Sequence, residues 1–274
     1  MDTTQLMQLA LDMAGMKAIP ADSAIYHPGE RIQKAIIGID MESPELLLAR
    51  QLGYDAVIAH HPVGDTAKLN FAQVLWTHLD QMLDAGVPEA VARPIVEEKV
   101  HATRMQMHAA NYDHAPSIAR LLNMPYLNIH LPLDEVGRRK MVAVAQTLSP
   151  KQPVSALIEA FKAQISEFQL ALTDFQVRVG APENPLGKVA ISHAAGTNGG
   201  YAIAKAYFDH GVDTVLYIHC SPQDSLRLRE EYQDRGKNLI ISGHIASDAV
   251  GINLYASELE RRGVHVTRVS GVLA

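Results

Sequence analysis

One short apolar run, ending in two histidines and a proline, constrains the chain most: Asp55-Ala56-Val57-Ile58-Ala59-His60-His61-Pro62. Its shortness, its β-branched centre and its bounding Gly53 and Pro62 predict a buried strand rather than a helix. Pro62 has no N–H for a central ladder, so the strand stops there and the histidines open the next loop. Upstream, Lys34-Ala-Ile-Ile-Gly-Ile-Asp40 is a second such run, ending in a carboxylate. Between the two, Ser43-Pro44-Glu45 reads as an N-cap, a first-turn proline and an acidic first turn of a helix reaching about Leu52. Strand, helix and strand make a βαβ unit with a parallel pair and a right-handed crossover. Asp40, His60 and His61 then share one sheet edge, the edge beyond which open α/β sheets collect ligands.

The alternation continues to the C-terminus. Strands are expected at Met141–Thr147, Phe175–Val179, Lys188–His193, Asp213–His219, Asn238–Ser242 and Val264–Val269. Apolar spacing predicts helices over 3–17, 70–86, 88–107, 117–123, 153–164, 201–210, 221–236 and 247–263, while residues 18–31 read as loop. The class is α/β: layered, mostly parallel sheets flanked by helices, with a middle inserted lobe. The expected core is 1–130 together with 187–274, and the lobe is 131–186.

Composition narrows the function. The net charge is -6, with both signs mixed and no basic stripe, which argues against nucleic acid as a partner. No apolar run approaches the ~20 residues that span a bilayer, so no membrane partner is expected. The N-terminus carries Asp2 and Asp12 without a basic-then-apolar pattern, so a cytoplasmic protein is expected. The single cysteine, Cys220, forbids an intramolecular disulfide and a thiol-based zinc knuckle. Thirteen histidines, several at predicted element ends, raise the question of metal.

Neighbouring residues in a strand point to opposite faces, so His60 and His61 serve one ion only if the chain turns there. They serve two adjacent ions more naturally, one each; the alternative is two polar residues opening a loop. In Gly243-His244-Ile-Ala-Ser-Asp248, a helix places His244 and Asp248 one turn apart on one face, able to reach one ion. The alternative is a capped helix start with a surface aspartate. His108, Asp113 and His114 lie in the turn-rich segment Met107–Pro116 and are potential ligands. Asp40 is either an orienter of a histidine or a loop-start aspartate, and His78 reads as packing. The Gly196–Gly200 turn either offers N–H groups to an anion or makes a tight βα turn.

Together these motifs carry a family likeness. Gly38-Ile39-Asp40, Asp55–Pro62, Asn111–Asp113, the Gly196–Gly200 turn and Gly243–Asp248, in that order, resemble the Nif-three-like proteins. These are also called dinuclear metal-centre hexameric proteins or GTP cyclohydrolase I type 2 homologues, and the resemblance spans most of the chain. It implies that His60 and His61 are ligands of a two-metal site, that Asp113 is the bridging aspartate and that His244 is the C-terminal histidine. Asp248 stands where the family has glutamate. Ala109 stands where the family's middle motif, His-Thr-Asn-x-Asp, has its histidine, with His108 one place earlier. Ile218-His219-Cys220 replaces a Thr-Gly-acid, so His219 is a further candidate.

The resemblance further implies a homohexamer and two divalent metal ions, of zinc, iron, manganese or cobalt. Three neutral histidines and two aspartates bring about -2 to two ions carrying about +4, which favours a small anionic molecule as partner. A metal-dependent hydrolase acting on a small phosphorylated or nucleotide-like substrate is expected. The alternatives are a non-catalytic metal-binding regulatory or metal-handling protein, or a structural ring.

Overall fold

The fold is described from a computed structural model covering residues 1–272. In chain order its first elements are α1 (Thr3–Ala14), β1 (Ala24–His27), β2 (Lys34–Gly38), α2 (Ser43–Gln51), β3 (Ala56–Ala59), α3 (Asp65–Leu69), α4 (Thr77–Asp84) and α5 (Glu89–His108). There follow α6 (His114–Leu122), β4 (Tyr126–Asn128), α7 (Leu131–Ala145), α8 (Val154–Gln164), α9 (Ser166–Leu170), β5 (Gln176–Val179) and β6 (Val189–Ser192). The chain closes through α10 (Gly200–Asp209), β7 (Thr214–Tyr217), α11 (Pro222–Tyr232), β8 (Asn238–Ile241), α12 (His244–Arg261) and β9 (His265–Val269). This is an α/β protein with two mostly parallel sheets flanked by helices. Two compact units result, one of residues 1–74, 101–137 and 248 onward, the other of 75–100 and 138–247.

The first unit holds the sheet β1-β4-β3-β2-β9, in which only β1 runs antiparallel to its neighbour. Alternate residues of β2 and β3 feed two separate cores. Ala35, Ile37, Ala56 and Ile58 pack with Leu6 and Leu9 of α1 and with Ile252 and Tyr255 of α12. Ile36 and Val57 pack with Leu46 of α2 and Ala119 of α6. A strand buried on both faces is apolar throughout, which is why these runs lack polar alternation. The βαβ unit β2-α2-β3 is parallel as expected. Its helix opens one residue earlier than expected, at a turn where Glu45 Oε2 accepts from the Glu42 N–H at 2.8 Å. The first helix, α1, is capped by Asp2 in a capping box with Gln5.

Two short strands lie where none is expected. β1 occupies the proline-flanked segment read as loop, and β4 has three residues directly after α6. Both depend on sheet neighbours rather than on their own pattern: β4 takes its register from β3, with Val57 opposite Tyr126 and Ala59 opposite Asn128. The strand expected at Met141–Thr147 is instead the C-terminal part of α7. Its valines suggest β structure, but Met141 and Val144 are both buried, three apart and on one helical face.

The second unit holds the sheet β5-β8-β7-β6, parallel except for β5. His78 of α4 is fully buried here, as its apolar setting predicts, and neither ring nitrogen has a hydrogen-bond partner. Burial pushes its pKa down to about 3, the charge on Lys99 adds to this, and the Thr197 backbone opposes it without reaching hydrogen-bond geometry. The folded value lies below the unfolded one of about 6.5. The stability this confers is therefore complete above pH 6.5 and is lost as pH falls towards 3, by up to about 1.4 kcal/mol per pH unit. His78→Leu should flatten that acid limb and cost little at pH 7.5, because two unsatisfied nitrogens disappear. Urea unfolding at pH 7.5 and pH 5 checks this; an unchanged stability difference between the two pH values would refute it. Among the described residues, no helix is long and apolar enough to cross a membrane.

Candidate metal centre

The carboxyl ends of β2, β3 and β4 carry Asp40, the pair His60–His61 and His130. The parallel register sets them side by side. β4 places the Ile129 carbonyl next to His60, whose Nδ1 lies 3.0 Å from it. A carbonyl only accepts, so His60 holds its proton on Nδ1 and directs its Nε2 lone pair inward. His61 is fixed in the same way, with Nδ1 2.7 Å from Asp40 Oδ1. His130 Nδ1 also meets an oxygen, Asp22 Oδ2, at 2.7 Å. Asp40 thus orients a histidine, the role its place at the strand end suggested.

Two carboxylates meet the inward nitrogens. Asp134 lies in the first turn of α7, and Asp248 is one turn into α12. Asp134 Oδ1 is 3.1 Å from His60 Nε2, and Asp248 Oδ2 is 3.8 Å from His60 Nε2 and 3.5 Å from His61 Nε2. His130 Nε2 is 3.7 Å from Asp134 Oδ2. The three histidine rings have centroids 4.7 Å (His60–His130), 5.3 Å (His60–His61) and 5.7 Å (His61–His130) apart. His60, His61 and His130 form one set of potential ligands, and His60, Asp134 and Asp248 another.

Electrostatics sharpen the picture. Burial holds the His60 pKa below the ordinary histidine value against the pull of Asp134, so the ring is neutral with its one proton on Nδ1. Its Nε2 then has no hydrogen to offer the Asp134 oxygen that it faces at 3.1 Å. Two acceptors held that close in a buried site call for a cation between them. Burial also opposes charge on His130, but Asp134, Asp22 and Asp248 outweigh it and push its pKa up to about 9.

Asn128 braces the arrangement. It is fully buried; its Nδ2 donates to the carbonyls of Asp22 and His60, and its Oδ1 accepts from the Tyr26 hydroxyl and the Ala24 N–H. One side chain thereby ties the loop bearing Asp22 to the strand ends bearing His60 and His130.

Of the five expected ligands, His60, His61 and Asp248 come together within the first unit. Asp113 does not join them: it precedes α6, is half exposed and pairs with Arg120. His108 ends α5 and is exposed. His244 opens α12, one turn before Asp248, with its ring 4.7 Å from that of His219. His219 in turn bonds Asn198 of the glycine-rich turn at 2.8 Å. Sequence reading missed His130, Asp134 and Asp22. A signal for the first two was present: His130-Leu-Pro-Leu-Asp134 has the histidine four before an aspartate that was sought around Asp113, and it follows the short run Tyr126–Asn128.

Comparison with solved structures gives the same picture of the fold. A NIF3 superfamily protein from Sphaerobacter thermophilus is 52% identical, with a TM-score of 0.94 over 99% of this chain and 98% of that one. Reduced HcgD from Methanocaldococcus jannaschii superposes with a TM-score of 0.58 at 12% identity, over 98% of this chain and 97% of that one. TTHA1606 from Thermus thermophilus gives 0.51 at 13% identity, over 98% of each chain. No family model matches the sequence, and no curated protein does.

Proposed function

The chain belongs to the NIF3 superfamily, and on that premise we propose that its histidine–aspartate cluster binds divalent metal, two ions when full, and serves metal-dependent hydrolysis of a small phosphorylated or nucleotide-like molecule. The observation that carries the metal reading is the buried pair of acceptors, His60 Nε2 and Asp134 Oδ1, 3.1 Å apart with no hydrogen bond from the histidine nitrogen. The proposed ligands are His60, His61, Asp134 and Asp248, with His244 added by family resemblance as the histidine one turn before Asp248. Imidazole with carboxylate suits zinc, iron(II), manganese(II) or cobalt(II). Bound divalent metal supplies a Lewis acid that activates water near neutral pH and polarises a phosphoryl oxygen.

The chain's own contribution is orientation. The Ile129 carbonyl and Asp40 each keep a proton on Nδ1, so that Nε2 is the donor atom in both His60 and His61. Asp134 and Asp248 bring two negative charges, fewer than two divalent ions carry, and the surplus favours an anionic substrate. A homohexameric assembly belongs to the same proposal and is tested by analytical ultracentrifugation.

One observation favours a second reading, metal handling without turnover. His60 is fully buried and Asp248 and Asp134 nearly so, at 2% and 4%, which suits a closed site. Within the first unit's part of the cluster, His61, with a quarter of its side chain exposed, opens to solvent.

Calorimetry with inorganic phosphate on metal-loaded and chelator-stripped protein, followed by a panel of phosphate esters and nucleotides, tests the proposal. We expect phosphate to bind the loaded form only, and turnover to vanish in His61→Ala with the fold intact. Equal binding to both forms would end the hydrolase reading. Metal-dependent binding without turnover across the panel would select metal handling.

A further inference from the structure

The Asp22–His130 pair is not needed by the ligand set above, yet it is built with equal care. Asp22 is fully buried in the segment between α1 and β1. Its Oδ2 lies 2.7 Å from His130 Nδ1, its Oδ1 accepts from the Ser23 hydroxyl at 3.2 Å, and its carbonyl accepts from Asn128 Nδ2 at 2.7 Å. The Ser23 hydroxyl accepts from the His130 N–H at 2.9 Å, so backbone and ring of His130 are held by two consecutive residues. Burying a carboxylate away from water costs several kcal/mol unless its partners compensate.

A structural ion pair would account for the Nδ1 side of the ring alone. The Nε2 side shows more. It lies 3.7 Å from Asp134 Oδ2, beyond a good hydrogen bond, and the ring offers a nitrogen within 4.8 Å of ring nitrogens on both His60 and His61. The same device occurs three times in this cluster: an oxygen on Nδ1, and Nε2 turned toward shared carboxylates. Two of those three histidines are proposed ligands. Metal-bound histidines characteristically donate their second N–H to a carboxylate or a carbonyl.

We infer that His130 is a further ligand of the metal centre, its Nε2 taking the metal in place of a proton, and that Asp22 is the positioning residue that fixes its ring. The inference rests on the proposed metal site and adds to the ligands that the family resemblance implies. With His130, the His60 end of the cluster has two imidazoles and Asp134 converging, and Asp248 within reach.

The test uses the full chain loaded with cobalt(II). A histidine bound through Nε2 and protonated on Nδ1 gives one exchangeable, hyperfine-shifted ring N–H resonance in the proton NMR spectrum. His130→Gln should lack one such resonance found in the parent. In competition with a chelator it should bind cobalt about 10- to 100-fold more weakly. Asp22→Asn keeps an oxygen that can accept from Nδ1 but removes the charge. It should keep the resonance at a changed shift, with about tenfold weaker binding. A purely structural role for the pair would move neither the number nor the position of these resonances.

If the parent takes up no cobalt, the metal reading itself fails and the inference falls with it. If the parent does, but His130→Gln keeps every exchangeable resonance and binds cobalt within twofold of the parent, the inference alone is overturned. Should His130→Gln not fold, Asp22→Asn decides: an unmoved resonance and unchanged affinity reject the role of the pair.

Discussion

Asp134→Asn should abolish the stabilisation that divalent metal gives this protein, while Asp113→Asn leaves it intact. The argument starts from His60, whose Nε2 presents a lone pair to Asp134 Oδ1 at 3.1 Å. In the metal-free parent this contact sets acceptor against acceptor. An amide at position 134 can turn an N–H toward the lone pair, replacing repulsion by a hydrogen bond worth about 1 kcal/mol. Asp22 and Asp248 still accompany His130. The metal-free variant should therefore unfold no earlier than the metal-free parent.

Loading with zinc or manganese should part the two proteins. Binding to the folded state alone raises stability by about 2.7 kcal/mol when free metal exceeds the dissociation constant a hundredfold. The parent should gain that increment and Asp134→Asn should not, having lost a ligand charge and at least about 100-fold in affinity. Asp113, exposed and paired with Arg120, lies outside the cluster, so its variant should behave as the parent does. Thermal unfolding with chelator and with added metal measures all three. A parent whose midpoint ignores metal, or an Asp134→Asn that shifts as far as the parent, would remove the basis of the site.

How far the sequence revealed this site depended on the strength of each local signal. β2 and β3 are continuous apolar runs bounded by glycine and proline, and a doubly buried strand has to look like that. Asp40, His60 and His61 were legible because they terminate those runs. β4 is too short to show a period: three residues, Tyr126–Asn128, borrow their register from β3 and include a buried polar residue, Asn128. With that strand unseen, the histidine that ends it and the aspartate four residues later went unnoticed, and Asn111–Asp113 took their place in the family motif. Asp22 was hidden for a different reason. Its partner is His130, 108 residues away, and no local pattern encodes a contact that the fold alone creates. The limits of the two units were equally silent. Three of the four fall within α5, α7 and α12, continuous helices in which no glycine- or proline-rich linker marks a change, and the fourth falls just before α4.

Gly251→Ala should destabilise the protein by about 3 kcal/mol and weaken metal binding at least tenfold, against the usual sign of such a change. In a helix interior alanine is favoured over glycine by about 1 kcal/mol. Gly251 lies inside α12, so propensity alone predicts a gain. Packing reverses it. A Cβ at this position would stand 1.8 Å from the Leu133 carbonyl oxygen and 2.7 Å from its carbon, with Gly137 N at 3.1 Å. These are backbone atoms of α7, so no side chain can swing aside. Carbon–oxygen contacts close at about 3.3 Å, so the two helices would have to part by roughly 1.5 Å. Overpacking of this kind costs about 1–3 kcal/mol, occasionally more.

The displacement would reach the candidate centre because both carboxylates ride on these helices. Asp134 is the residue after Leu133, and Asp248 lies one turn before Gly251, about 4.5 Å along the axis. Ligand sets tolerate errors of about 0.5 Å, so a separation three times as large should open the donor set. Urea unfolding measures the first effect and chelator competition the second. A variant as stable as the parent would show that α7 and α12 do not meet at Gly251. One that loses stability but keeps full metal affinity would show that the carboxylates are positioned independently of this crossing.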